Sequence, residues 1–353
     1  MPTRDEIFAG LALVIDPELR KPVTELEMVR DIRIDGADVA VTIALTVAGC
    51  PLRSSFEEQV ARHVGTLPGV ASVSLHFDVM TPDERAALTT RLRGGAEPKG
   101  VQLPAATRVI AVASGKGGVG KSSLTVNLAS AFAALGNEVG VLDADIYGHS
   151  IPHMLGIHQK PVVVDKMIVP PVAHDLKLMS IGFFLDDNAP VMWRGPMLHR
   201  ALEQFLQDVH WGEIDVLFVD MPPGTGDVSI SLGQLLPRAE AVVVTTPQPL
   251  AQEVASRAAT MAQKTGMRVV GVVENMTSEV FGSGGGEHLA AELNVPLLGR
   301  VPLDVRMRES GDAGVPLVLS DPDSEPARAI IDLAAAIDAS RAGGFTRTLP
   351  LVL

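Results

Sequence analysis

The chain has 353 residues, 46% of them hydrophobic and 20% charged, with a formal net charge of −13 from 42 acidic and 29 basic side chains. That length exceeds what a single core usually serves, at roughly 150 residues per domain, and the composition excludes extended disorder. The acidic balance opposes non-specific binding to nucleic acid or anionic membranes, because the mean field repels both.

In "MPTRDEIFAGLALVIDPELR" the apolar residues are interrupted by Asp5, Glu6 and Asp16, which is not the pattern of a secretory leader. The longest uncharged run, 122–137, contains Ser, Thr and Asn and is shorter than the roughly 18 apolar residues of a membrane span. The single cysteine, Cys50, allows no intramolecular disulfide, so the expectation is a soluble cytoplasmic protein.

Residues 1–93 read as a small α/β unit. A helical stretch leads to "IRI", a turn at Asp35-Gly36, and a strand in which Val39, Val41, Ile43, Leu45 and Val47 alternate with Ala40, Thr42, Ala44 and Thr46. The following "AGCPLRSSFEEQVARHV" places Pro51 at a first helical position and Cys50 at its N-cap. There the helix N–H groups would favour a thiolate, and hence reactivity or metal ligation; the other reading is a small buried hydrophobe. Residues 94–107, rich in Gly and Pro, read as a linker.

From Val109 onward, apolar runs ("VIAVAS", "EVGVLDAD", "VLFVDMPPG", "AVVVTTP", "VVGVVEN") alternate with helical stretches, predicting a mostly parallel, doubly wound sheet over 108–341. Ligands of such sheets bind at the carboxyl ends of the strands, where Lys121, Asp145, Asp220 and Asn275 fall. "EPARAIIDLAAAIDASRA" predicts a terminal helix facing the core through Ile330, Ile331, Ala334 and Ile337, followed by a tail at 342–353.

The segment Gly115-Lys116-Gly117-Gly118-Val119-Gly120-Lys121-Ser122, followed by Ser123, has the spacing of a phosphate loop between a strand and a helix. Its glycines let backbone N–H groups turn towards an anion, Lys121 would reach the β and γ phosphates, and the Ser122 hydroxyl would ligate Mg²⁺. Asp220 ends a buried strand from which a carboxylate holds Mg²⁺ through water, and Asp227 sits where it would sense the γ-phosphate. Of Asp143 and Asp145, the second is the choice for orienting the attacking water; a helix cap or solvated turn is the alternative for each. Lys116 lies too early in the loop to duplicate Lys121. A second cation arriving only on closure would stabilise the spreading charge of phosphoryl transfer, so Lys116 is expected to reach the nucleotide of a facing subunit.

"GKGGVGKS" resembles the deviant Walker A loop of MinD/ParA-like ATPases. "DADIYGHSIPHMLG", "WRGPM", "DMPPGTGD", "VVVTTPQ" and "GVVENM" resemble the Mrp/ApbC family of iron-sulfur cluster carrier ATPases. Residues 1–93, with "VIDPELRKPVTELEMV" and "TVAGCP", are similar to the iron-sulfur-assembly domain that many of these carriers bear at the amino terminus. The resemblance implies a slow, Mg²⁺-dependent, dimer-activated ATP hydrolase that forms a nucleotide-sandwich homodimer and delivers clusters to apoprotein acceptors or assembly partners. It also implies that Asn275 contacts adenine, with Pro302, Leu303 and Asp304 near the base.

The family usually carries a Cys-x-x-Cys pair after this motif, whereas the present chain runs "ENMTSEVFGSGGGEHLA". One cysteine per chain gives a homodimer two thiols against the four that usually hold such a cluster. Two alternatives therefore stand beside cluster carriage: an ATP-dependent dimeric scaffold that carries no cluster, and a partitioning-type ATPase. His149, His153 and His158 do not space as a metal site across Pro152, and Met192 and Met197 read as packing. Trp193 and Arg194 are candidates for a partner surface.

Overall fold

The alternation at 39–45 becomes a strand with Val39, Val41, Ile43 and Leu45 buried on one face. It belongs to an amino-terminal run of α1 (Arg4–Leu11), β1 (Val29–Asp35), β2 (Asp38–Leu45), α2 (Arg53–His63), β3 (Ser72–Val79) and α3 (Pro82–Leu92). Thr3 and Glu6 cap α1 reciprocally, each satisfying the other's backbone N–H. β1 and β2 are antiparallel, joined through Gly36 at φ +64°, a left-handed turn position that glycine adopts without strain. β2 and β3 are parallel, with α2 as the crossover.

The computed structural model describes residues 1–46, 53–92, 103–146, 148–184 and 195–340. Val47, Cys50 and its expected N-cap, Met192, Trp193, Arg194, residues 94–102 of the expected linker and the tail from 342 lie outside the described residues.

The remainder continues with β4 (Arg108–Ser114), α4 (Lys121–Ala134), β5 (Val139–Asp143), α5 (Ile151–Met154), β6 (Val162–Val164), β7 (Met167–Val169), β8 (Val172–Ala173) and β9 (Leu176–Ser180). Then come α6 (Gly195–Gln207), β10 (Val216–Asp220), α7 (Asp227–Leu235), β11 (Glu240–Thr245), α8 (Pro249–Lys264) and β12 (Arg268–Thr277). The chain closes with α9 (Gly285–Leu293), β13 (Leu297–Pro302), α10 (Val305–Asp312), α11 (Leu317–Ser320) and α12 (Glu325–Ala339).

The main sheet has eight strands in the order β13-β12-β11-β4-β10-β5-β9-β8. Every pairing from β13 through β9 is parallel, so the strand ends that follow β4, β5, β10 and β12 share one edge. β5 and β10 are buried at every residue, as strands covered on both faces must be. Ile110, Val141, Phe218, Val242 and Val273 meet α4 and α12 in one core, with Phe132 edge-on to Phe218 at 5.2 Å between ring centroids. In α12, Ala327, Ile330, Ala334 and Ile337 face this core, but Ile331 is exposed; Leu333 takes the inward place that the sequence pattern assigned to Ile331.

The chain divides into two compact units: Met1–Leu103 with Gln159–Val172 and Gln204–Gly212, and Pro104–His158 with Ala173–Glu203 and Glu213–Leu353. By sequence alone, 159–172 and 204–212 read as part of the phosphate-loop domain. In the structure, Val164, Met167 and Val169 of the β6–β7 hairpin share a core with Ile43 and Leu88, and the Thr89 hydroxyl donates to the Val164 carbonyl at 3.1 Å.

The loop after α1 gives the first unit a titratable weak point. Gln59 of α2 brackets Ile15, accepting its N–H and donating to its carbonyl, both at 2.9 Å. Asp16 accepts the N–H groups of Glu18 and Leu19. Burial, then the neighbouring Asp16 charge, pushes the Glu18 carboxyl up to about 7. A carboxyl raised on folding adds stability below its unfolded value near 4.5, and that contribution is lost as pH rises through about 7. Glu18→Gln should therefore stabilise the protein by about 2 kcal/mol at pH 8 and by little at pH 4.5. Urea midpoints of both proteins at the two pH values measure this, and an equal difference at both would refute it.

Candidate functional site

At the carboxyl edge of the main sheet, β4 runs into the phosphate loop and then into α4. Three glycines there have separate physical reasons. A Cβ on Gly115 would lie 2.2 Å from the backbone of Val254 in α8, so only glycine lets the two segments touch. Gly118 and Gly120 hold φ near +78° and +79°, and Gly120 packs so tightly that a Cβ would meet the Asn275 amide at 2.3 Å. Around Gly117 and Gly118 there is open space on the side where a Cβ would stand, leaving the loop backbone accessible to an anion.

Lys121, the first residue of α4, is 6% exposed and reaches Asp220, which is fully buried. Its Nζ is 2.6 Å from Asp220 Oδ2 and 3.6 Å from Asp145 Oδ2. Ser122 Oγ donates to the same Asp220 oxygen at 2.6 Å, and Thr125 Oγ1 donates to the other at 2.7 Å. Thr125, one turn into α4, is a partner that the loop motif does not reveal; its spacing of four from Lys121 is the only hint in the sequence. Ser122 and Asp220 present two hard oxygens side by side, the donor type Mg²⁺ prefers.

Asp143 and Asp145 flank this centre differently. Asp143 is fully buried; it accepts the Ser180 hydroxyl at 2.9 Å and the Asp145 N–H at 3.2 Å. Burial, then the Asp220 charge, pushes its carboxyl up to about 8, against the Ser180 bond and the pull of Lys121. It serves as a buried anchor beneath the Asp145 backbone. Asp145 lines the recess over the phosphate loop with Lys116, Gly117, Lys121 and Ser122. Burial raises its carboxyl and Asp220 adds to this, while Lys121 lowers it.

Lys116 is exposed and makes no side-chain bond among the described residues. Asp227 is exposed at the first position of α7 and does not line the recess, so the structure does not bring it to the other expected residues.

Asn275, at the end of β12, is buried and donates from Nδ2 to the Val119 carbonyl at 2.8 Å. It lines a cavity of about 290 Å³ that opens beside Gly120 and Ser123 and also takes in Pro302, Leu303 and Asp304. Met154, Met276 and Met307 complete its apolar wall, and no sequence spacing marks them, since they come from three separate elements. His153 stands at the same cavity, whereas His149 turns its ring towards the Ile146 carbonyl at 3.3 Å. Among the described residues, no group of three or more His, Cys, Asp or Glu is placed to hold a metal ion.

Glu274 is the residue that sequence reasoning missed most completely. It is fully buried, and its carboxylate accepts the N–H groups of Gly284 (3.0 Å) and Gly286 at the start of α9, with Arg300 Nε 3.3 Å away. The glycine-rich "GSGGGEH" is thus a helix start capped by the chain's own anion.

Comparison with known proteins places this geometry in a wider setting. Residues 105–338 match the family model described as NUBPL iron-transfer P-loop NTPase, and residues 4–75 match that described as iron-sulfur cluster assembly protein. The iron-sulfur cluster carrier protein of Mycobacterium leprae is 50% identical over 350 residues, covering 94% of this chain and 91% of that one. The protein of the same name from Bacillus subtilis is 42% identical over 311 residues, covering 85% of this chain and 88% of that one. Among solved structures, the nucleotide-binding protein from Archaeoglobus fulgidus in complex with ADP aligns with TM-score 0.54 and 36% identity, covering 62% of this chain and 89% of that one. The septum site-determining protein MinD from Pyrococcus horikoshii with Mg-ADP aligns with TM-score 0.54 and 25% identity, covering 66% of this chain and 96% of that one. Among the described residues, no helix is long and apolar enough to cross a membrane.

Proposed function

The chain belongs to the NUBPL iron-transfer P-loop NTPase family, and from that membership and the phosphate-loop geometry we propose a Mg²⁺-dependent ATP hydrolase that closes as a homodimer and delivers iron-sulfur clusters to apoprotein acceptors. The observation that carries the catalytic half is the Lys121–Asp220–Ser122 arrangement at the head of α4, with Asp145 at 3.6 Å from the lysine.

In this reading the loop from Gly115 to Gly120 cradles the phosphates with its N–H groups, and Lys121 leaves its carboxylate partners to bind the β and γ oxygens. Ser122 would ligate Mg²⁺ and Asp220 would hold it through water, and the ion, when bound, would neutralise charge on the phosphates. Asp145 orients the attacking water, its backbone N–H held by Asp143, whose carboxylate Ser180 in turn anchors. Asn275 and the cavity beside Gly120 receive adenine. Lys116 crosses to the nucleotide of the facing subunit and stabilises charge that develops only in the transition state. Asp227 would join the site only on closure, as a sensor of the γ-phosphate.

The cargo half rests on the family and on the amino-terminal unit, with Cys50 as the chain's one thiol. That count also favours a second reading, a dimeric scaffold without a cluster of its own, because two thiols per dimer leave half of a four-thiolate set to outside ligands. Anaerobic reconstitution with iron and sulfide separates the two. Cluster absorbance and bound iron in the wild type, both lost in Cys50→Ala, are the expected result; equal and negligible iron in both proteins would leave the scaffold.

A further inference from the structure

The methionines of the chain fall into two environments. Met28, Met80, Met167, Met179, Met221 and Met267 are buried, where a solvent-borne reagent does not reach the sulfur. Met154, Met276 and Met307 are half-buried, and all three line the cavity of about 290 Å³ beside Gly120. Met197 is exposed and Met261 half-buried, but neither lines that cavity.

The three wall methionines are held between core and solvent. Met154 and Met307 pack against the main core on one side and face the cavity on the other. Met276 takes φ +62°, and its terminal methyl would lie 3.2 Å from a Cβ on Gly120, so its thioether rests at the base of the phosphate loop. His153, Arg308 and Asp312 stand at the same cavity and are exposed, so small solutes enter it. A thioether is soft, polarizable and apolar, and suits the face of a planar base. Oxidised to the sulfoxide, the same side chain is polar and no longer fits an apolar wall.

We propose that Met154, Met276 and Met307 are reversible oxidation sites through which a peroxide-class oxidant shuts nucleotide out of this cavity, and that bound nucleotide shields them. The proposal rests on the adenine cavity of the preceding section. In the forward step a sulfur lone pair attacks a peroxide oxygen, an S–O bond forms, the O–O bond breaks and water leaves. Sulfur is oxidised by two electrons and the peroxide is reduced by two. A dithiol reductase reverses the step: the oxygen leaves as water while two thiols become a disulfide. Oxidation thus withholds the nucleotide and leaves the phosphate loop itself unmodified.

The test treats full-length Cys50→Ala protein, in which sulfur oxidation is confined to methionine, with hydrogen peroxide in the presence and absence of a non-hydrolysable ATP analogue and Mg²⁺. Peptide mass spectrometry reads the sulfoxide at each methionine, and a fluorescent ATP analogue reads affinity. Without nucleotide, Met154, Met276 and Met307 should oxidise and affinity should fall about tenfold. With nucleotide they should be spared while Met197 still oxidises. Methionine sulfoxide reductases should restore both the thioethers and the affinity, and this arm needs no further substitution. Replacing all three by leucine in the same background should give a protein whose own affinity is the same before and after peroxide. Unchanged affinity with the three sulfoxides formed would overturn the proposal and leave the nucleotide site standing, as would an equal loss in the leucine variant. An untreated protein that binds no nucleotide would overturn the adenine cavity, and the proposal with it.

Discussion

Lys121→Ala should abolish nucleotide binding and also destabilise the free protein by about 3–5 kcal/mol. The second effect follows from burial. Asp220 is fully buried and its only cationic partner at hydrogen-bonding distance among the described residues is Lys121, at 2.6 Å. Ser122 and Thr125 donate to the carboxylate but do not neutralise it. Removing the ammonium therefore leaves a charge in a site that water does not reach, which costs far more than an exposed ion pair is worth. Adding Asp220→Asn to Lys121→Ala should recover most of the stability and none of the nucleotide binding. Urea unfolding of the two variants measures the difference; a single variant as stable as the wild type would show that the pair does not bear on the fold.

Lys116→Ala should do the opposite: nucleotide affinity and stability stay near wild type, and single-turnover hydrolysis slows by about 10³-fold. The side chain is exposed and has no partner among the described residues, so its loss leaves nothing buried and uncompensated. An interaction formed only in the transition state lowers turnover and leaves ground-state binding untouched. A variant that weakens nucleotide binding and turnover by the same factor would place Lys116 on the ground-state phosphates instead.

Much of this site is legible in the amino-acid sequence, because the phosphate loop ties chemistry to spacing. Glycines, a lysine and a hydroxyl within eight residues demand a strand on one side and a helix on the other, and β4 and α4 supply them. Asp143 and Asp220 end apolar runs and are found at matching levels of neighbouring strands, paired in register between β5 and β10. What stays hidden is contact between residues far apart in the chain. Glu274 looks like the polar end of a strand, yet it caps a helix that starts eleven residues later. Thr125 looks like an ordinary helical residue and bonds a carboxylate 95 positions away. The three methionines of the cavity wall have no common period, since the wall exists only once β12, α5 and α10 are assembled. The β6–β7 hairpin shows the same limit at the level of domains: its apolar residues signal burial, and nothing in their spacing says in which core.

The central claim is that each active site is completed by Lys116 of the opposite subunit, and complementation between two inactive variants tests it most directly. Lys116→Ala keeps its own Asp145, and Asp145→Asn keeps the lysine it would lend. Mixed in equal amounts with ATP and Mg²⁺, the two should regain about a quarter of wild-type turnover, since half the dimers are mixed and each mixed dimer holds one intact site. A mixture as inactive as its separate components, although sedimentation shows mixed dimers present, would mean that Lys116 serves its own subunit.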